Sequence, residues 1–443
     1  MSDNERYDLL IVGAGPAGLS AARTAARLGF RTLVVDRLAA PGITGHQCSA
    51  VLVPAPGLVS GRSMFGGLFF PQVDLWIPES IITVHDSTQH CYSPGGLEYQ
   101  TIFADAAGST PAIVDKAGLL RLMAEQAAAK GVELRFGTEV TGLVREGDKI
   151  VGVRTSSGDI HATIVMAAEG ASRELCEDAG LYCAPASQHV LFVSQEYEAP
   201  AVGPIDVGRI VALGGPDGEA GFATLSMPAP GRATLSLATL IGQPDCAAAE
   251  SAARRFSQSE QDPRFQGLLA GATPTVAARS SYLMPLHEAP ASLVAEGFIA
   301  VGDAATPAGQ LGILPAIYLG RQAALVAAEA LDGDDTTTDY LLAYDRFLRA
   351  QILPALQAEA KTTVALLKMS NDELDRLAEL LNWLHLPIPF LGYNHNVEWD
   401  VVGGLVRQFP LTARDWELLK RVAGEPDGVP ALNDLPAVAL SPM

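Results

Sequence analysis

A chain of 443 residues with 48% hydrophobic and 18% charged residues is long enough for two or three domains and excludes global disorder. Its net charge of −20 argues against nucleic acid as a partner and against simple adsorption to anionic lipid. The five cysteines, Cys48, Cys91, Cys176, Cys183 and Cys246, form no CxxC pair, so no iron–sulfur cluster or structural zinc site is legible; their odd number, with no signal peptide legible, points to a reducing, intracellular setting, expected to be cytoplasmic.

The apolar run near the N-terminus follows a charged head and is broken by Gly13, Gly15 and Gly18, which suits neither a signal sequence nor a membrane span. From Tyr7 to Arg37 it predicts a strand (Tyr7 to Val12), a glycine turn opening a helix to about Leu28, and a second strand (Thr32 to Val35) ending on Asp36. This is a dinucleotide-binding βαβ unit. Gly13 permits the tight turn, Gly15 lets the backbone approach a pyrophosphate, and Gly18 allows close packing of helix on strand. Pro16 and Ala17 open the helix, whose N-terminal N–H groups face phosphate charge, and Asp36 accepts from a ribose hydroxyl.

The Gly- and Pro-rich stretch from Pro41 to Pro78 predicts short strands and loops, where chemistry is often displayed. A helix over Val114 to Lys130 stops at Gly131. Strands follow at Val132 to Phe136, Ile150 to Arg154 and Ile160 to Ala167, the last two joined by a hairpin turn at Ser156-Ser157-Gly158. From about Gln188 to Tyr282 the alternation predicts a largely antiparallel sheet for substrate, interrupted by one helix over Cys246 to Ser257. Phe298 to Asp303 is a buried strand, and Ala316 to Leu331 a long apolar helix. The remainder is helical: Asp339 to about Leu367, then helices opening on capping boxes at Ser370/Glu373 and Thr412/Asp415, the last closing at Gly424. Trp383 to Tyr393, aromatic and broken by proline, suits a plain connection, a lid over a substrate tunnel, or lipid contact.

Three stretches stand in order: the βαβ unit, Ala168-Glu169-Gly170-Ala171-Ser172, and Gly302-Asp303-Ala304-Ala305. Together they resemble the flavoproteins of the para-hydroxybenzoate hydroxylase fold, and more closely the geranylgeranyl reductase and FixC-like (electron-transfer-flavoprotein dehydrogenase) branch. AEGASRELCEDAGL resembles the branch's Ala-Glu-Gly motif, QHVLFVSQEYEAP is similar to the opening of its second domain, and GITGHQC sits where the branch has a turn near the flavin. The resemblance covers roughly residues 5 to 350.

It implies an α/β fold: a Rossmann-like FAD-binding domain over 1–185 and 285–335, a substrate domain of mostly antiparallel sheet over 186–284, and a helical C-terminal region over 336–443. It implies FAD held by Gly13, Gly15, Pro16, Ala17, Gly18, Asp36, Arg37, Gly45, Val140, Glu169, Gly170, Gly302, Asp303, Gly309, Gly312 and Ile313, with Asp303 on the ribitol chain. His46 and Cys48, in the loop that the branch places near the flavin, are the candidates for proton donor and redox thiol. The implied function is hydride or electron transfer between FAD and an apolar substrate, with NAD(P)H as an external reductant and a ferredoxin or electron-transfer flavoprotein as redox partner. A flavin monooxygenase and a non-enzymatic prenyl-binding protein are the alternatives on the same fold. The chain departs from the branch in lacking the cysteine-ligated module of the quinone-linked members, in having no clear aromatic-proline signature in AGFATLSMPAPG, and in placing Lys116 after Asp115 where an arginine-bearing motif is expected.

Overall fold

The computed structural model describes residues 6–43, 50–54, 59–85, 89–101, 111–182, 186–199, 209–215, 221–229, 231–275, 279–286, 290–306, 312–384 and 411–423. Its first sheet grows from the most apolar strand. Leu9, Leu10 and Ile11 are consecutive and fully buried, the pattern of a parallel strand covered on both faces. Strands Glu133–Phe136, Thr32–Asp36, Arg6–Val12, Gly158–Ala167 and Phe298–Ala300 lie side by side in that order, all parallel. Gly158–Ala167 is long enough to serve two neighbours: its later residues pair with Phe298–Ala300, and its first residues turn back into an antiparallel meander with Lys149–Thr155 and Val140–Glu146.

Helix Pro16–Arg27 packs against helix Ile313–Asp332 at very short range. A Cβ at Gly320 would lie 2.1 Å from the Ala17 carbonyl oxygen, so the first and last nucleotide-side helices touch backbone to backbone. Chain segments about 300 residues apart in sequence are thus locked together at the turn that opens the first helix.

The second sheet has both faces covered, by different partners. Along His189–Glu198, Val190 joins a cluster with Leu374, Leu377 and Leu418 of the C-terminal helices, while Leu191 and Val193 join Phe256 and Phe265 on the other side. Alternate side chains of a strand point to opposite faces, so the unbroken apolar run HVLFV serves two cores. Among the described residues the sheet is antiparallel but for one pairing: Gln89–Tyr92, followed by Glu98–Thr101, comes from the first part of the chain and runs parallel to Arg209–Leu213. That crossing had no local signal.

Several boundaries move. Two helices, Cys246–Glu260 and Pro263–Leu269, follow strand Arg232–Ile241 in place of one, with Asp245 and Asp262 as their caps. The helix expected over Asp339 to Leu367 is two, Thr338–Gln351 and Leu353–Leu367, because Pro354 has no N–H to continue the first and is tolerated only in an opening turn. Helix Lys116–Ala128 starts later than expected, since Ala112–Val114 is a strand. Phe298–Ala300 ends before Gly302–Ala305, which forms a 3-10 turn. Both capping boxes form: Ser370 N–H donates to Glu373 at 2.9 Å, and Thr412 N–H donates to Asp415 at 2.9 Å. Gly424 and most of Trp383 to Tyr393 lie outside the described residues; Trp383 itself is 47% exposed.

Candidate cofactor site

The three motifs meet at the C-terminal ends of the parallel strands, where open α/β sheets bind their ligands. Gly13 adopts φ +110°, and a Cβ there would lie 2.3 Å from the Ala168 carbonyl oxygen. Ala168 N–H in turn donates to Val12 O at 2.8 Å. A Cβ on Gly302, at φ +69°, would meet the Ala17 side chain at 2.9 Å. First, second and third motifs therefore approach so closely that no extra carbon is admitted at these points.

Gly18 and Gly15 differ in a telling way. A Cβ on Gly18 would sit 1.9 Å from Gly13 O, so its absence is needed for the turn itself. A Cβ on Gly15 would meet nothing within 4 Å. Gly15 caps helix Pro16–Arg27 with extended backbone and no side-chain hydrogen bond, leaving the first N–H groups of the helix for a ligand. Open space above an uncapped helix start fits a pyrophosphate.

Asp36 ends its strand half-buried, and both carboxylate oxygens accept backbone N–H groups: Ala14 at 2.6 Å and Leu38 at 2.8 Å. It braces the glycine turn, and a carboxylate keeps lone pairs for further donors. Arg37 is exposed beside it, and Val140 is half-buried at the start of its strand. Gly170, at φ +70°, opens the 3-10 turn Gly170–Ser172. Gly312 caps helix Ile313–Asp332, and Ile313 is buried. Gly45, His46, Cys48 and Gly309 lie outside the described residues.

Glu169 turns inward. Its carboxylate accepts from Leu175 and Cys176 N–H at 3.1 Å and from the Ser172 hydroxyl, capping helix Glu174–Asp178. Burial raises its pKa, against the opposing pull of those N–H donors, and burial together with Glu169 pushes the Cys176 thiol well up.

Three residues that sequence reasoning passed over complete this end of the sheet. Tyr282, on strand Ser280–Pro285 of the second sheet, is held far above the ordinary phenol range by burial and then by the Asp303 carboxylate, with which its hydroxyl shares a hydrogen bond. The same hydroxyl is met by the Ala171 backbone N–H, so one tyrosine joins the second and third motifs. Arg173 is fully buried; its Nη2 donates to the carbonyls of Asp303 at 3.4 Å and of Thr306. Tyr182 lies beneath that guanidinium, its hydroxyl donating to Ala304 O at 3.3 Å and pushed up to about 12 by burial. Arg173 follows the second motif directly, but a buried arginine has no local sequence signature, and Tyr282 stands over a hundred residues from it.

Phe70 is core, whereas Phe65 is 88% exposed. Tyr318 packs on Phe347 with ring centroids 6.1 Å apart. His85 and His90 each pair with a carboxylate, Glu79 at 2.8 Å and Glu98 at 2.5 Å. Among the described residues no helix is long and apolar enough to cross a membrane.

Comparison with known proteins agrees with this geometry. Residues 8–181 match the family model described as FAD dependent oxidoreductase. The chain is 25% identical to a digeranylgeranylglycerophospholipid reductase of Methanococcus aeolicus, covering 86% of this chain and 91% of that one. It is 26% identical to the probable electron transfer flavoprotein-quinone oxidoreductase YdiS of Escherichia coli, over 79% of this chain and 82% of that one. A solved geranylgeranyl bacteriochlorophyll reductase-like protein of Thermoplasma acidophilum superposes with a TM-score of 0.73 at 20% identity, covering 94% of this chain and 99% of its own. The glycine cradle, the uncapped helix start and the three converging motifs fit FAD, and the chain is an FAD-dependent oxidoreductase similar to the geranylgeranyl reductase and FixC-like proteins.

Proposed function

We propose that the protein transfers a hydride or electrons between FAD and an apolar, isoprenoid-like substrate. The observation that carries this reading is the junction at Tyr282, where a strand of the second sheet enters the joint between the Glu169-Gly170 and Gly302-Asp303 motifs. A substrate sheet wired to the flavin turn is the arrangement a flavin reductase needs. The name of the Methanococcus relative supports a lipid-like substrate, and that of YdiS supports exchange of electrons with an electron-transfer flavoprotein.

FAD, when bound, supplies the two-electron chemistry at its ring. The chain's own residues bind and orient it. Ala17 and Gly18 N–H would hold the pyrophosphate at the helix start above Gly15, Asp36 would hold the ribose, and Asp303 would hold the ribitol chain. Glu169 contributes backbone, because its carboxylate is committed to the next helix. Arg37, Gly45, Val140, Gly170, Gly309, Gly312 and Ile313 complete the cofactor set, and we assign His46 as proton donor and Cys48 as redox thiol. NAD(P)H or a ferredoxin delivers the electrons, and the enzyme meets a lipid substrate at the membrane surface without spanning it.

Anaerobic incubation of the reduced holoenzyme with a prenyl lipid tests the reading. Reoxidation of the flavin with saturation of an alkene is the expected result. A product carrying one added oxygen atom, formed only with oxygen present, would establish the monooxygenase instead.

A further inference from the structure

Arg173 stands at the junction between the turn Gly170–Ser172 and helix Glu174–Asp178, with φ +58° in the left-handed region and no solvent exposure. A guanidinium carries five N–H donors and stays charged in proteins. Nη2 spends its two on the carbonyls of Asp303 and Thr306. The flat face of the group lies 5.0 Å over the Tyr182 ring, which fixes its plane. Nε and Nη1 are buried with no hydrogen-bond partner. A buried cation with unmatched donors is costly, and the surrounding groups are already engaged elsewhere: Glu169 on the helix cap, Tyr282 between Ala171 and Asp303.

Both carbonyls that hold Arg173 belong to the Gly302–Thr306 segment, the third cofactor motif. We propose that Nε and Nη1 of Arg173 donate to oxygen atoms of bound FAD at this segment, so that the cofactor completes a cation site that the protein builds only in part. The consequence is a division of labour between two states. Without FAD the arginine is a liability to folding, and with FAD it is a holdfast, so its contribution changes sign with cofactor occupancy. A purely structural arginine would contribute equally to both.

The inference rests on FAD being the cofactor, which titration of the wild-type protein tests by itself: absence of saturable FAD binding there would overturn both readings. With wild-type binding established, the full chain stripped of flavin is compared with Arg173→Met and Arg173→Lys. Arg173→Met should raise the FAD Kd by about 10- to 100-fold, the range of a lost charge-assisted hydrogen bond. Its flavin-free melting temperature should equal or exceed that of the wild type, and the upward shift on adding FAD should shrink. Arg173→Lys keeps the charge but not the two-edged donor set and should fall between them in Kd. A Kd within about twofold of wild type, on the scale where tenfold is 1.4 kcal/mol, overturns the proposal. So does a parallel fall of the flavin-free and flavin-bound melting temperatures. If Arg173→Met does not fold, Arg173→Lys decides, and wild-type FAD affinity in it, or its own failure to fold, assigns Arg173 to the scaffold alone.

Discussion

Gly15 and Gly18 stand three residues apart, yet a methyl group has different consequences at each. At Gly18 it would press on Gly13 O at 1.9 Å, a clash with backbone that no rotamer relieves. Gly18→Ala should therefore destabilise the protein by about 2–3 kcal/mol whether or not FAD is present. At Gly15 the methyl meets nothing within 4 Å of protein, and the backbone is extended at φ −76°, which alanine adopts freely. Gly15→Ala should leave the flavin-free melting temperature within about a degree of wild type while abolishing tight FAD binding, because the methyl occupies the space in which phosphate approaches the helix. Calorimetry with and without FAD checks both variants. Equal loss of stability and binding in Gly15→Ala would mean that the open space serves folding instead.

At the scale of elements, what the sequence made legible was what is local. The βαβ unit and both capping boxes are signalled within a few residues by glycine spacing and by Ser/Thr followed by an acid at the fourth position, and each stands where expected. The break after Gln351 was missed because Pro354 occupies an allowed opening-turn position and leaves the apolar periodicity intact on both sides. The entry of Gln89–Tyr92 into the second sheet was missed because strand partners are chosen by tertiary packing. The final helix, Ala413–Ala423, shows how such an element is docked. Asp415 accepts from Arg376 at 2.7 and 3.0 Å and caps its own helix through Thr412. The Arg376 hydrogen bonds, ahead of the Thr412 contacts, hold its carboxyl far below the ordinary 3.8. A depressed folded value means that the stabilisation is present above the unfolded value and is lost as pH falls through the folded one. Arg376 is 42% exposed, so solvent weakens the pair. Asp415→Asn should cost about 1 kcal/mol at neutral pH, and the difference from wild type should vanish in strong acid; melting curves between neutral pH and pH values well below 4 measure both. A difference that persists undiminished in acid would remove the charge from the account.

For the whole molecule, one contact joins the second sheet to the cofactor end of the first. Tyr282 sits opposite Phe192 in the register of the second sheet, and its hydroxyl reaches the Asp303 carboxylate and the Ala171 N–H of the first. The hydroxyl is what communicates, because phenylalanine would keep the ring packing at Phe192, whose centroid lies 6.2 Å away, and lose only the bridge. When FAD engages Asp303, ordering of the Gly302–Ala305 turn should pass to strand Ser280–Pro285 through this one group. Hydrogen exchange measured with and without FAD should show added protection at residues 280–285 and 189–194, not only at the glycine turn. Tyr282→Phe should lose about 1–2 kcal/mol of stability from the unmatched Ala171 N–H, and should bind FAD without that distant protection. Protection that spreads to the second sheet equally in wild type and Tyr282→Phe would show that the two sheets are coupled through packing, and that the hydroxyl serves only to fill the hydrogen-bonding needs of its neighbours.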